Sequence, residues 1–149
     1  MQKLNLPEFD LMIREKDGKE EILDIIRKKY IRLTPEEWVR QNFIAYLLQE
    51  KNYPQSLMAI EKEIIIDRQK RRPDIVVFKN DMKPVLAVEC KAPAVKISQD
   101  TFDQLIRYNS IMKVKYLITT NGMKHYCCRI DYEKNVYRYL QEVPAFSEL

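Results

Sequence analysis

Three runs of branched, apolar residues lie between two segments that begin like helices, and that order decides most of what the chain can fold into. The runs are Ile64-Ile65-Ile66, Ile75-Val76-Val77-Phe78 and Val85-Leu86-Ala87-Val88. β-branched side chains pack well on a pleated surface and lose rotamer freedom in a helix, so three consecutive strands are expected. Their connections, Arg68 to Arg72 and Lys79 to Pro84, have turn composition and suit hairpins. Upstream, Leu33-Thr34-Pro35-Glu36-Glu37 starts a helix: Thr34 can cap, Pro35 fits the first turn and Glu37 can close a capping box. The helix should run to about Glu50, with Val39, Phe43, Tyr46 and Leu47 on its apolar side, and end at Asn52-Tyr53-Pro54. Downstream, Ser98 can cap a second helix to about Met112.

Further strands are expected at Lys115 to Thr120, Lys124 to Ile130 and Asn135 to Leu140, with Asn121-Gly122 as a turn. Near the N-terminus, Phe9 to Lys16 and Lys19 to Ile25 flank Asp17-Gly18 and read as a small β-hairpin. The fold class is α/β, with α+β character: a mixed central sheet flanked by helices. The 149 residues suffice for one domain, divided as an N-terminal hairpin extension over 1–32, a core over 33–130 and a C-terminal strand and tail over 131–149.

Composition narrows the chemistry. Only two glycines are present, Gly18 and Gly122, and they cannot share a loop, so no phosphate-cradling motor motif or dinucleotide site is expected and no nucleotide cofactor. A single histidine, His125, argues against two-histidine metal sites. Cys90, Cys127 and Cys128 are odd in number and lack CxxC spacing, which fits a reducing, cytoplasmic compartment. The longest apolar run, Phe43 to Leu48, is too short to span a membrane, and no signal peptide is read at the start. Net charge is +4, with basic clusters at Arg27-Lys28-Lys29 and at Arg68-Gln69-Lys70-Arg71-Arg72. Arg68, Lys70, Arg71 and Arg72 either meet a polyanion such as nucleic acid or form a solvated turn.

Chemistry gathers at the ends of two expected strands. Pro73-Asp74 heads the second and Glu89-Cys90-Lys91 ends the third. Side chains alternate along a strand, so Glu89 and Lys91 share one face while Cys90 turns into the core. A hairpin would bring Asp74 beside Glu89, where a peptide carbonyl adds a third oxygen. Two close carboxylates repel unless a positive charge sits between them, and oxygen ligands suit Mg²⁺. Such an ion can activate a water and neutralise charge on a phosphate, with Lys91 orienting the water. The alternative is a structural ion-pair cluster.

These residues resemble the PD-(D/E)xK nucleases, and among them the N-terminal nuclease domain of type I restriction enzyme R subunits. Pro73, Asp74, Glu89 and Lys91 match the motif residue by residue. Thr34-Pro35-Glu36-Glu37-Trp38-Val39-Arg40-Gln41, Val88 to Pro93, Gln104-x-x-x-Tyr108-Asn109 and Thr120-Asn121-Gly122 resemble successive blocks of that domain, covering roughly Leu33 to Arg129. The resemblance implies a restriction-endonuclease-like fold and Mg²⁺-dependent DNA cleavage, with Mn²⁺ as a substitute. Asp74, Glu89 and the Cys90 carbonyl would hold the metal. It implies DNA and restriction-modification subunits as partners, and no membrane. Glu37, or its neighbour Glu36, would be a helix acid that approaches the metal, although capping alone accounts for Glu37. Gln104 and Tyr108, four residues apart on one helical face, would contact the active site or DNA; a buried hydrogen-bonding pair is the alternative. A catalytically silent module that binds nucleic acid or a restriction-complex partner is the second reading of the whole chain.

Overall fold

The computed structural model describes residues 1–149. The chain opens with three short strands, β1 (Ile13–Lys16), β2 (Lys19–Asp24) and β3 (Lys29–Arg32), which form a small antiparallel sheet in the order β1-β2-β3. The expected N-terminal hairpin thus carries a third strand. Asp17 and Gly18 make its first turn at φ of 51° and 75°, the positive values that a two-residue hairpin turn needs.

Helix α1 (Pro35–Gln49) begins where Thr34 Oγ1 accepts the Glu37 amide at 3.1 Å, a cap that contributes about 1 kcal/mol. The reciprocal half of the expected capping box is missing, because the Glu37 carboxylate is drawn to Arg40 and Gln41 instead. The helix ends with Asn52 at φ 59° and the Tyr53 amide returning to the Leu47 carbonyl at 3.0 Å. Strands β4 (Met58–Ile60), β5 (Ile64–Ile66), β6 (Gln69–Arg71), β7 (Ile75–Phe78) and β8 (Pro84–Cys90) follow, then helix α2 (Gln99–Asn109) and strands β9 (Tyr116–Thr120), β10 (His125–Asp131) and β11 (Val136–Leu140). Ser98 caps α2 as expected, its Oγ accepting the Thr101 amide.

The central sheet runs β11-β10-β9-β8-β7-β4. Its pairs are antiparallel except β8 with β9, which are parallel because α2 crosses between them. The isoleucine run is not one of three consecutive sheet strands. Ile64–Ile66 leaves the sheet as β5 and pairs with β6 in a separate ribbon, and the short β4 takes the place beside β7. The ribbon turns at Asp67 and Arg68, both at positive φ (51° and 65°). Ile64 and Ile66 pack toward the α2 layer, while Ile65 is turned outward.

Each face of the sheet carries one helix. Val39, Phe43, Ile44 and Leu47 of α1 pack on Ile75, Val77, Leu86, Val88 and Ile118. Phe102 of α2 packs on Ala87, Leu117 and Cys128. Phe43 is fully buried, and truncating it to alanine would cost about 3–5 kcal/mol. The three cysteines are unpaired and buried. Cys127 and Cys128 are neighbours on β10 and point into opposite layers, and burial pushes both thiols up to about 12. Gly122 sits at φ 83° where a Cβ would lie 2.7 Å from Leu4, so the N-terminal segment closes directly over the turn between β9 and β10. No helix is long and apolar enough to cross a membrane.

Candidate active site

Strand pairing brings the two halves of the motif to one end of the sheet. Ile75 pairs with Val88, and just beyond that pair the amide of Cys90, two residues after Val88, donates to Oδ2 of Asp74, one residue before Ile75, at 2.7 Å. Asp74 also offers its carbonyl to the Glu61 amide at 3.0 Å, which joins the loop after β4 to the site. Glu89 lies opposite Thr119 of β9 and faces the α2 layer, whereas Cys90 is buried among the α1-side residues. Lys91 follows directly, its amide held by the Thr120 carbonyl at 2.8 Å.

Glu89 is the least satisfied of these groups. Its Oε1 is buried without a hydrogen-bond partner. Burial first, and then the neighbouring Asp74 carboxylate, push the Glu89 carboxyl up to about 8, against the downward pull of the Asn109 amide and the Lys91 ammonium. Asn109 is itself 1% exposed. Its Nδ2 donates to the Leu105 carbonyl, but Asn109 Oδ1 and the nearby Thr119 Oγ1 lack partners. Buried polar atoms without partners are rare, and here the strand pair and the end of α2 bring them to one place.

Glu37 reaches the motif through an intermediary. Arg40 Nη1 donates to Glu37 Oε1 at 2.6 Å, and Arg40 Nη2 donates to Asp74 Oδ1 at 2.7 Å. Gln41 Nε2 adds a bond to Glu37 Oε2 at 3.0 Å. Burial raises the Glu37 carboxyl from its ordinary value despite these donors. Burial also opposes the Arg40 charge, but Asp74, Glu37 and Glu61 more than offset it and hold the guanidinium ionised. A second arginine supports the arrangement from the N-terminal sheet: Arg27 meets Asp24 at 2.7 Å and Glu61 at 2.9 Å. Glu36 is exposed, with its nearest oxygen 3.5 Å from Arg40.

Gln104 and Tyr108 are not a buried pair. Gln104 is exposed and Tyr108 is 44% exposed, so both face outward from α2. The Arg71 guanidinium lies 4.2 Å from the Tyr108 ring centroid and donates through Nε to the Tyr108 carbonyl. Arg72 Nε donates to the Glu61 carbonyl at 3.0 Å, and Lys70 is 3.9 Å from Glu63. Arg68 is exposed at the tip of the ribbon. The basic run is therefore a ribbon anchored on α2 beside the acidic residues, with Arg71 committed to that anchor.

Sequence reasoning missed Arg40, Glu61 and Asn109 as members of the site. A usable signal existed for Arg40: it lies three and four residues after Glu37 and Glu36, the spacing of ion pairs on one helical face. Asn109 directly follows Tyr108, yet its burial depends on the packing of α2. Glu61 belongs to no motif. No three His, Cys, Asp or Glu side chains converge closely enough to hold a metal ion by themselves. Asp74 and Glu89 nevertheless supply hard oxygen donors with one of them unsatisfied, and a backbone carbonyl at Cys90 lies between Glu89 and Lys91. That donor set fits a small divalent cation completed by waters.

Two comparisons bear on this arrangement. The family model described as type I restriction enzyme R protein N terminus matches residues 35–144. Among solved structures, the chain is similar to a fragment structure described as the HsdR subunit of a type I restriction enzyme from Vibrio vulnificus YJ016. The TM-score is 0.54 at 20% identity, over 78% of this chain and 24% of that one. The chain thus spans about a quarter of that relative, and the likeness is one of fold. The mixed sheet with a helix on each face is the restriction-endonuclease-like architecture. No curated protein matches the sequence.

Proposed function

Because this chain belongs to the family of type I restriction enzyme R protein N-terminal domains, we propose that it is a Mg²⁺-dependent DNA endonuclease domain that hydrolyses phosphodiester bonds. The observation that carries this reading is the Cys90 amide's bond to Asp74 Oδ2, which sets Asp74 next to Glu89 at one sheet end, with Glu89 Oε1 buried and unpartnered beside it. Asp74, Glu89 and the Cys90 carbonyl would hold the ion. When bound, Mg²⁺ supplies Lewis acidity for a phosphate oxygen and lowers the pKa of a water. Lys91, whose charge acts on Glu89 from just beyond the strand end, orients the attacking water and stabilises negative charge on the phosphorus centre. Glu37 positions Asp74 through Arg40. Arg68, Lys70 and Arg72 meet DNA phosphates, Tyr108 and Gln104 present a ring and an amide beside them, and Arg71 holds that ring in place. DNA and the other subunits of a restriction-modification complex are the proposed partners.

Nicking of supercoiled plasmid in Mg²⁺ or Mn²⁺ tests the reading. Activity should fall at least about a hundredfold in Glu89→Ala and Lys91→Ala, on the scale of losing a principal electrostatic group. Persistence of nicking in both variants would assign it to another site. A second reading, a silent module that binds nucleic acid or a complex partner, draws on Asp74: both its oxygens already accept hydrogen bonds, from Arg40 and from the Cys90 amide. Salt-sensitive DNA binding without any cleavage would favour that reading.

A further inference from the structure

A cation belonging to the chain itself crosses the proposed site. Arg40 is 4% exposed, and its guanidinium lies within reach of four carboxylates: Glu37 at 2.6 Å, Asp74 at 2.7 Å, Glu61 at 3.4 Å and Glu36 at 3.5 Å. Three of these are approached by Nη2 alone, while Nε is buried without any acceptor. This is not the two-pronged pairing that makes an arginine–carboxylate bond strong and exclusive. One nitrogen is shared among three acids, closest to Asp74, and another is unused, so alternative acceptors lie within a short movement of the guanidinium.

Resting on the reading that Asp74 and Glu89 hold a divalent cation, we infer that Arg40 is the resident counter-charge of the metal site and competes with the metal for Asp74. In the metal-free chain it takes Asp74 Oδ1 and keeps Glu37, Glu61 and Asp74 from repelling one another. A divalent ion arriving at Asp74 meets that guanidinium in one of two ways. Arg40 withdraws to Glu37 and Glu61, which it already touches, or it stays and repels the ion at short range. In both cases its charge opposes loading. Arg40 is therefore a positioning residue that sets metal affinity.

Mn²⁺ affinity measured by calorimetry on the full chain tests this, comparing wild type with Arg40→Gln and Arg40→Lys. Arg40→Gln should bind Mn²⁺ at least about tenfold more tightly, and Arg40→Lys, which keeps the charge, should stay within about threefold of wild type. A purely structural arginine would give weaker metal binding in both. Unchanged or weaker affinity in a folded Arg40→Gln overturns the inference while leaving the Asp74–Glu89 reading intact. Binding by neither chain overturns both, and binding by Arg40→Gln alone supports the inference. Should Arg40→Gln fail to fold, the ¹⁵Nε resonance of Arg40 in wild type decides during a Mg²⁺ titration. A shift that is lost in Asp74→Asn supports the inference, and an unmoved resonance overturns it.

Discussion

The Cys90 amide donates to Asp74 Oδ2 at 2.7 Å, so the two halves of the acidic motif are hydrogen-bonded to each other through the backbone. The bond fixes the Asp74 carboxylate next to Glu89 whatever the protonation of Glu89. The two acids are thereby built into one site, held at a sheet end by β7 and β8.

That proximity makes stability depend on pH. The Glu89 carboxyl is raised from 4.5 to about 8 by burial and by Asp74, so the folded chain keeps a proton that the unfolded chain releases. The contribution is fully present below 4.5 and is lost as pH rises through about 8. Glu89→Gln, which resembles the protonated acid, should flatten this slope. In EDTA at pH 8.5 it should melt about 5 °C above wild type, the order of shift that 1–2 kcal/mol produces in a domain of this size, and the difference should shrink at pH 5. Thermal melts across that range check it, and parallel curves for the two proteins would contradict the assignment.

Asp24 anchors the support behind the site. It is fully buried and accepts the amides of Ile26 and Arg27, each at 2.9 Å, and Arg27 Nε at 2.7 Å. Asp24→Ala leaves those donors and part of the Arg27 charge without a partner, and should lower unfolding free energy by about 3 kcal/mol in urea titrations. Asp24→Asn, which keeps one acceptor, should lose less.

The ribbon over β5 and β6 should supply the ionic part of DNA affinity. Replacing Arg68, Lys70 and Arg72 together by alanine should reduce the slope of log affinity against log salt by about 2–3, since each phosphate contact contributes roughly 0.9. Tyr108→Phe keeps the ring that Arg71 covers and should bind DNA as wild type does, whereas Tyr108→Ala should weaken binding. Fluorescence anisotropy over a salt series measures both effects.

Much of this architecture is legible in local pattern. Thr34-Pro35 and Ser98 start the two helices because capping needs only a side-chain oxygen and a few amides. Strands β7 and β8 are read from their branched apolar runs because both sheet faces are covered there. The Ile64 run misleads for the same reason: three isoleucines fit any strand, and nothing local says that the partner is the polar stretch Gln69–Arg71. Strand β3, Lys29–Arg32, hides in a basic cluster that reads equally well as a solvated turn. At the candidate site, Asp74, Glu89 and Lys91 are singled out by their positions at strand ends. Glu61 and Asn109 gain their roles from tertiary neighbours, and although the spacing of Arg40 from Glu36 and Glu37 marks a helical ion pair, its contacts with Glu61 and Asp74 arise only where two loops converge on α1.

The most direct test is where Mn²⁺ binds in a crystal of the chain, located by anomalous scattering. One strong peak is expected between Asp74 and Glu89, about 2.0–2.4 Å from an oxygen of each and from the Cys90 carbonyl. At saturating Mn²⁺, a pair of bare acids or an ion seated only elsewhere would contradict it.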